Sequence, residues 1–563
     1  MKKQITWLLA FLISLSINAQ YLPKNLTVSD KVAAQKWVEQ TYKNMSQDER
    51  LGQLFIVALY TNKDKAHIEQ VREIVKNEKI GGLILMQDDA AQHIHLLNEF
   101  QTYNKIPLLV GIDGEWGVYQ RIAAAQKFPW AITLGAIQNK ELIYKMAQKI
   151  AEDCKRMGVN WDFAPVVDVN TNPMNPIIGN RSFGSSVENV VTSALPYAQG
   201  LQDANVLAAI KHFPGHGDTS TDSHLDLPVV AHDMERLQHI ELAPFQQLIN
   251  KGIGGLMVAH LYVPALEKKQ GVPASISYDI ITGLLKNKMG YQGLIITDAL
   301  NMGAVANKYQ PGELDALAFK AGNDLMLFSQ GVKEGKRLIQ EAINRGEIAS
   351  SRLEESVKKI LLTKYYLGLT EYHPISAEGV NEALNNESHK TLVQELYTNA
   401  ITLLQNKNQI LPLKNNETIY YIPLEEAPYQ TFLNELKSKT NLIVKKSSEI
   451  KSIPPHSKVL IGLHKDNSTA YKPFKISESS KKLIQALSKK YRVVLSVFGS
   501  PYALRDINIL NTAATLVHYE NNNESMKAAA TALMGETPIT GKLPVEVNAN
   551  LKYGSGINLE TNK

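Results

Sequence analysis

Short apolar runs rich in β-branched residues recur along the first two thirds of the chain. Each is bounded by Gly, Pro or polar residues and separated from the next by a longer amphipathic stretch. This alternation is the pattern of buried parallel strands joined by crossover helices. Eight runs can be counted: Leu54 to Tyr60, Ile80 to Met86, Pro107 to Asp113, Val159 to Val169, Val206 to His212, Gly254 to Leu261, Gly293 to Asp298 and Asn323 to Phe328. Helical periodicity fills the intervals, as in Leu142 to Met157 and Met234 to Asn250, and two more helical stretches follow the last run, ending near Leu367. Eight strand–helix units predict an α/β chain folded as a (β/α)8 TIM barrel with insertions. A doubly wound open sheet is the competing arrangement for any such alternation.

Beyond Leu367 the pattern changes. A polar segment around Pro374 leads to a long amphipathic helix expected from about Glu387 to Leu404, and Leu411-Pro412-Leu413 then introduces new strands. The runs Thr418 to Pro423, Asn441 to Lys445, Lys458 to Leu463, Arg492 to Phe498 and Thr515 to His518 alternate with helical stretches and predict a smaller α/β sandwich. The expected organisation is a catalytic barrel over 21–370, a linker with its helix over 371–416 and the sandwich over 417–563.

Composition adds the compartment. The first twenty residues join Lys2 and Lys3 to an apolar stretch of about a dozen residues and a small residue near Ala19, the layout of a secretory signal peptide over 1–20. That stretch is shorter than the ~20 residues a spanning helix needs. With a single cysteine, Cys154, neither a disulfide framework nor an N-terminal lipid is expected, so a periplasmic or secreted monomer without a membrane segment is predicted. The formal charge of +5 includes the two lysines of the signal, and no basic stripe or phosphate-cradling Gly-rich loop is present, which argues against a nucleic-acid partner.

Candidate chemistry lies at the ends of the runs. The third ends in Asp113, the fifth in Lys211 and His212, the sixth in His260 and the seventh in Asp298. On a barrel the C-terminal strand ends form one rim, so these ionisable side chains converge on one bowl.

The fifth run opens into K-H-F-P-G-H-G-D-T-S-T-D-S-H, Lys211 to His224. His212 and His216 have the spacing of a helical zinc pair, with Asp218, Asp222 or His224 to complete a ligand set, but Pro214, Gly215 and Gly217 make the segment a loop. Loops can also bind zinc, so a metal site stays open, as does a purely polar loop held by its own turns. No metal or other cofactor is expected. In Asp222-Ser223-His224 a carboxylate two residues from an imidazole can fix its tautomer and raise its pKa, leaving the other ring nitrogen to move a proton near neutral pH. Asp298 is the candidate partner, because T-D-A-L supplies no adjacent cation. A carboxylate opposite a proton donor suits cleavage of a glycosidic bond through a covalent intermediate.

The loop sequence, together with G-Y-Q-G-L-I-I-T-D-A-L-N-M and I-G-N-R-S-F-G, resembles the β-N-acetylglucosaminidases of glycoside hydrolase family 3. The likeness runs over nearly the whole mature chain and includes G-K-L-P-V-E-V near its end. It implies a barrel followed by an α/β sandwich and a retaining exo-hydrolase of terminal β-linked N-acetylglucosamine. It also implies that Asp298 is the nucleophile, that His224 is the acid/base assisted by Asp222, and that Asp113, Arg121, Arg181, Lys211 and His212 bind the sugar. The sequence departs from the family where Trp116 follows Glu115 in place of a glycine, either to stack on a sugar or to pack under its loop. A signal peptide also departs from the cytosolic recycling of cell-wall fragments common among single-domain relatives. Other readings are a phosphorylase or transglycosylase, since a neutral imidazole does not repel an anionic acceptor, a β-glucosidase of the same fold, and a non-catalytic glycan-binding protein.

Overall fold

The computed structural model describes residues 27–220 and 226–561. The expected signal peptide, and the Asp222 and His224 of the loop, lie outside the described residues. Two compact units are built from interleaved stretches of chain. One comprises 27–125, Ala147–Pro165 and Tyr197–Asn385; the other comprises Gln126–Met146, Val166–Pro196 and 386–561.

The first unit holds eight parallel strands: β1 (Phe55–Leu59), β2 (Gly82–Leu85), β3 (Leu109–Ile112), β4 (Trp161–Asp162), β5 (Leu207–Phe213), β6 (Gly255–Val258), β7 (Leu294–Thr297) and β8 (Met326–Leu327). Their order is β7-β6-β5-β4-β3-β2-β1-β8, and a bridge between Ile296 and Leu325 brings the ends of that order together. This is the predicted barrel rather than an open doubly wound sheet. Every strand residue is buried, which is why the strands read as continuous apolar runs and not as alternating ones. Helices such as Lys65–Glu78 and Val332–Asn344 bury one stripe each, whereas Ser350–Tyr366 is buried all round from Lys359 to Lys364. Near the start of β8 the fully buried Asp324 accepts from Lys359 at 3.0 Å, Arg352 at 3.3 Å, the Ser356 hydroxyl at 2.5 Å and the Ile295 amide at 3.1 Å.

The fourth run forms a much shorter strand than its sequence predicts. β4 ends at Asp162, since Pro165 has no N–H to continue a ladder. A ladder irregularity in β5 between Ile210 and Phe213 interrupts the strict alternation of side chains there.

In the second unit β9 (Thr402–Asn406), β10 (Thr418–Leu424), β11 (Asn441–Val444), β12 (Lys458–His464), β13 (Arg492–Phe498) and β14 (Ala514–Val517) form a sheet of order β11-β10-β12-β13-β14-β9. All pairs are parallel except β9 on β14. The helix expected from Glu387 to Leu404 ends at Ala400, and Thr402-Leu403-Leu404 begin strand β9 instead. At the C-terminal ends of three neighbouring strands the rings of His464, Phe498 and His518 stack, with 4.5 Å between successive centroids. Segments from early in the chain complete this unit. Glu520, 1% exposed, accepts from Lys127 at 3.0 Å, the Trp130 amide at 2.9 Å and the Thr133 hydroxyl at 2.8 Å.

Candidate active site at the barrel mouth

The site is assembled from the ends of β3, β5 and β7. Asp113 follows β3, and its two carboxylate oxygens are held by different cations. Arg121 donates to Oδ2 at 2.5 Å and Lys211 to Oδ1 at 2.9 Å. Lys211, 2% exposed, also pairs with Glu115 at 3.0 Å. Burial alone would raise the Asp113 pKa, but the fields of Lys211 and then Arg121 outweigh it and hold the carboxyl well below the usual range. Each oxygen keeps a second lone pair, so an Asp113 already gripped by two cations can still accept from hydroxyl groups.

The turn that carries Asp113 requires its glycines. Gly117 sits at φ 81°, in the region that glycine adopts without strain, and its N–H closes the turn on the Gly114 carbonyl at 2.8 Å. Beneath the turn the Tyr197 hydroxyl donates to the Gly114 carbonyl at 2.9 Å, and Asp162 Oδ1 accepts from the Gly114 amide at 2.9 Å.

β5 supplies two consecutive side chains. A regular strand would send them to opposite faces, but Lys211 bonds Asp113 while His212 acts electrostatically on Asp298, an arrangement that the ladder irregularity between Ile210 and Phe213 permits. Asp298 follows β7. Its amide donates to the Val258 carbonyl at 2.8 Å and its Oδ1 accepts from the Ala299 amide at 2.8 Å. No lysine or arginine forms an ion pair with it among the described residues. Burial would raise its pKa, yet His212, His260, the Ala299 N–H and Lys211 together lower it. His260 itself is fully buried, and burial lowers its pKa while Asp298 opposes that shift. Nε2 donates to the Ala299 carbonyl at 3.1 Å, and Nδ1 bonds the Ser275 hydroxyl at 2.7 Å.

The structure therefore brings Asp113, Arg121, Lys211, His212 and Asp298 into one connected set. Arg181 ends the 3-10 turn Gly179–Arg181 in the second unit, where it is 7% exposed and its guanidinium lies 6.0 Å from the centre of the Tyr471 ring. The flanks of the 221–225 segment are anchored: His216 pairs with Thr219 at 2.7 Å, Asp218 with His232 at 2.6 Å, and the amides of Val230 and Tyr262 bond the Tyr262 and Pro228 carbonyls at 2.9 Å each. His216 thus spends Nδ1 on Thr219 of its own loop. Trp116 is half-buried beside the Asp113 turn.

Three contributors escaped the sequence reading. Glu115 is two residues from Asp113 in D-G-E-W-G, a spacing that could have suggested a second carboxylate for Lys211. Asp162 and Tyr197 lie in a strand and a helix, where nothing in the pattern separates them from core. An aromatic edge was also missed: Tyr60 and Phe328, after β1 and β8, pack edge to face at 6.3 Å, and the Tyr60 phenol feels the charges of Arg121 and Asp113.

Residues 46–363 match the N-terminal domain of glycosyl hydrolase family 3, and residues 401–561 match its C-terminal domain. Beta-hexosaminidase A of Pseudoalteromonas piscicida is 34% identical over 385 residues, which cover 63% of this chain and 64% of that protein, so the chain spans just under two thirds of that relative. Beta-hexosaminidase LpqI of Mycobacterium tuberculosis is 32% identical over 332 residues, 57% of this chain and 83% of that one. Among solved structures, a family 3 beta-N-acetylglucosaminidase from Paenibacillus sp. superimposes with a TM-score of 0.73 at 28% identity, covering 90% of this chain and 99% of that one. The beta-glucoside phosphorylase BglX shares the fold, with a TM-score of 0.78 at 24% identity over 96% of this chain and all of that one.

Proposed function

Since the chain belongs to glycosyl hydrolase family 3, we propose that it is an exported, exo-acting, retaining β-N-acetylglucosaminidase that removes terminal non-reducing N-acetylglucosamine from cell-wall fragments or other glycans. The observation that carries this reading is the ionised, cation-unpaired Asp298 on the same rim as the doubly gripped Asp113. Two of the relatives are named beta-hexosaminidases, which supports the choice of sugar.

In the proposed reaction Asp113 accepts from sugar hydroxyls while Lys211, His212 and the arginines donate to hydroxyl and N-acetyl oxygens. The Ala299 N–H holds Asp298 Oδ1 and leaves Oδ2 to attack the anomeric carbon. As the C–O bond to the leaving group breaks, His224 gives its proton to the departing oxygen, and Asp222 stabilises the imidazole. Water then attacks the same carbon, His224 takes its proton, and the ester to Asp298 breaks with net retention. The choice of His over a second carboxylate also fits phosphate as the acceptor, which gives a sugar 1-phosphate instead of the free sugar.

Aryl β-N-acetylglucosaminide and aryl β-glucoside assays, each with and without phosphate, test the reading. Faster release from the N-acetylated substrate, with free sugar as product, is expected. A sugar 1-phosphate product would favour the phosphorylase, and faster glucoside turnover the β-glucosidase. Asp298→Ala is expected to lose activity by about 10⁴-fold or more, and full turnover in that variant would refute the assignment. His224→Ala is expected to slow poor leaving groups more than good ones.

A further inference from the structure

We propose that Asp162 is a positioning residue for sugar binding: held as a neutral carboxylic acid beneath the Asp113–Gly114–Glu115 turn, it fixes that turn and leaves the Lys211 ammonium to Asp113 and Glu115, and its ionisation repels those two carboxylates and draws the ammonium away from them. The inference rests on the reading of Asp113 and Lys211 as sugar-binding residues.

Asp162 is the last residue of β4 and has no exposed surface. Its carboxyl group lies flat against the turn: besides the Gly114 amide bond at 2.9 Å, a Cβ at residue 114 would fall 2.9 and 3.0 Å from its two oxygens. With the Tyr197 hydroxyl on the Gly114 carbonyl, both polar groups of that peptide position are engaged from below. A shift of the turn would therefore displace the carboxylates on either side of Gly114, both of which bond Lys211.

Charge decides the form of Asp162. Asp113 and Glu115 already bond the Lys211 ammonium, so an ionised Asp162 would be a third carboxylate around one lysine. Its Oδ2 has no hydrogen-bond partner among the described residues. Left there, the ionised form would place an unpartnered anionic oxygen in the interior, whereas the neutral acid leaves one O–H short of an acceptor, a far smaller penalty. The groups facing it from the packed helices do not relieve this. Cys154, on Glu141–Arg156, and Tyr197, on Val187–Asp203, are both buried with pKa values pushed well above their ordinary ones, so they stay neutral. Burial, reinforced by Asp113 and Glu115 and opposed by Lys211 and the Gly114 N–H, pushes the Asp162 carboxyl up to about 8.

Asparagine has the shape of the neutral acid and cannot ionise, so Asp162→Asn isolates the effect. Aryl β-N-acetylglucosaminide kinetics from pH 6 to 9 are expected to show a wild-type KM that climbs above about pH 8, approaching tenfold per pH unit, with kcat little changed. Asp162→Asn should keep a KM within about threefold of wild type at pH 6.5 and lose the climb, while Asp162→Ala should raise KM about tenfold or more at every pH. An alkaline climb that persists in Asp162→Asn, or an unchanged KM in Asp162→Ala, overturns the proposal. Infrared difference spectra of wild type minus Asp162→Asn should show the carbonyl stretch of a protonated acid at pH 6.5 and lose it on titration past pH 8; absence of that band also overturns it. This second measurement needs neither turnover nor the alanine variant to fold. A band that titrates as expected in a protein inactive on the sugar would count against the proposed function while upholding the neutral acid.

Discussion

Lys211 ties the barrel mouth together because its single ammonium bonds Asp113 and Glu115 while its field reaches Asp298. Lys211→Met keeps the side-chain bulk, strands the buried Glu115 carboxylate and leaves Asp113 to Arg121 alone, so it should cost about 3–5 kcal/mol of stability and raise KM sharply, as thermal unfolding and steady-state kinetics would show. The direction of the Asp298 shift fixes a second outcome. Its folded pKa lies below 3.8, so the proposed nucleophile reaches half-protonation only below that value. A kcat/KM profile should therefore show no half-point assignable to Asp298 above pH 4, and an acid limb that moves in a conservative variant of another residue would confirm this. Asp113, Lys211, His212 and Asp298 stood out in the sequence because several ionisable residues close runs that a barrel brings to one rim, whereas any one of them alone reads as a helix cap or a satisfied core group. Asp162 was not, since inside such a run a carboxylate is visible only as an exception, and its partner Gly114 lies 48 residues away.

Strand length and strand end are where sequence and structure parted. Burial on both faces made the eight runs visible, yet the same property hid their limits: Val159 to Val169 reads as one run and yields a two-residue strand. In the second unit Thr402-Leu403-Leu404 continues the apolar spacing of the preceding helix, and only pairing with β14, a long-range contact, makes it a strand. Two elements carry their own tests. Asp324→Asn, at the start of β8, leaves Lys359 and Arg352 with an uncompensated charge and should lower the urea midpoint by the equivalent of about 3–5 kcal/mol. Across β12, β13 and β14, His518 is buried with neither ring nitrogen bonded among the described residues, and burial pushes its pKa down to about 3. A depressed histidine pKa gives stability that is present above the unfolded value of about 6.5 and drains away as pH falls toward the folded one. His518→Phe should equal or exceed wild-type stability at pH 7, and its advantage should grow about tenfold in the folding equilibrium constant per pH unit below 6.5, measured by denaturant titration at each pH.

At the scale of the whole chain, the interleaving of the two units sets the order in which they can be completed. Gln126–Met146 and Val166–Pro196 are made before most of the barrel, yet they belong to a unit whose sheet is encoded after residue 400. Lys127, Trp130 and Thr133 find their common acceptor in Glu520, nearly four hundred residues downstream. Their backbone and side-chain donors, with the apolar surface around them, stay in water without this acceptor until Glu520 has been translated. A fragment stopped at residue 385 should accordingly be recovered in aggregates, whereas the full chain stays dispersed, as size-exclusion chromatography of the two would show. The proposed export would add a constraint of timing: a chain that cannot close its second unit until Glu520 and its neighbours appear can be kept unfolded until it reaches the far side of the membrane.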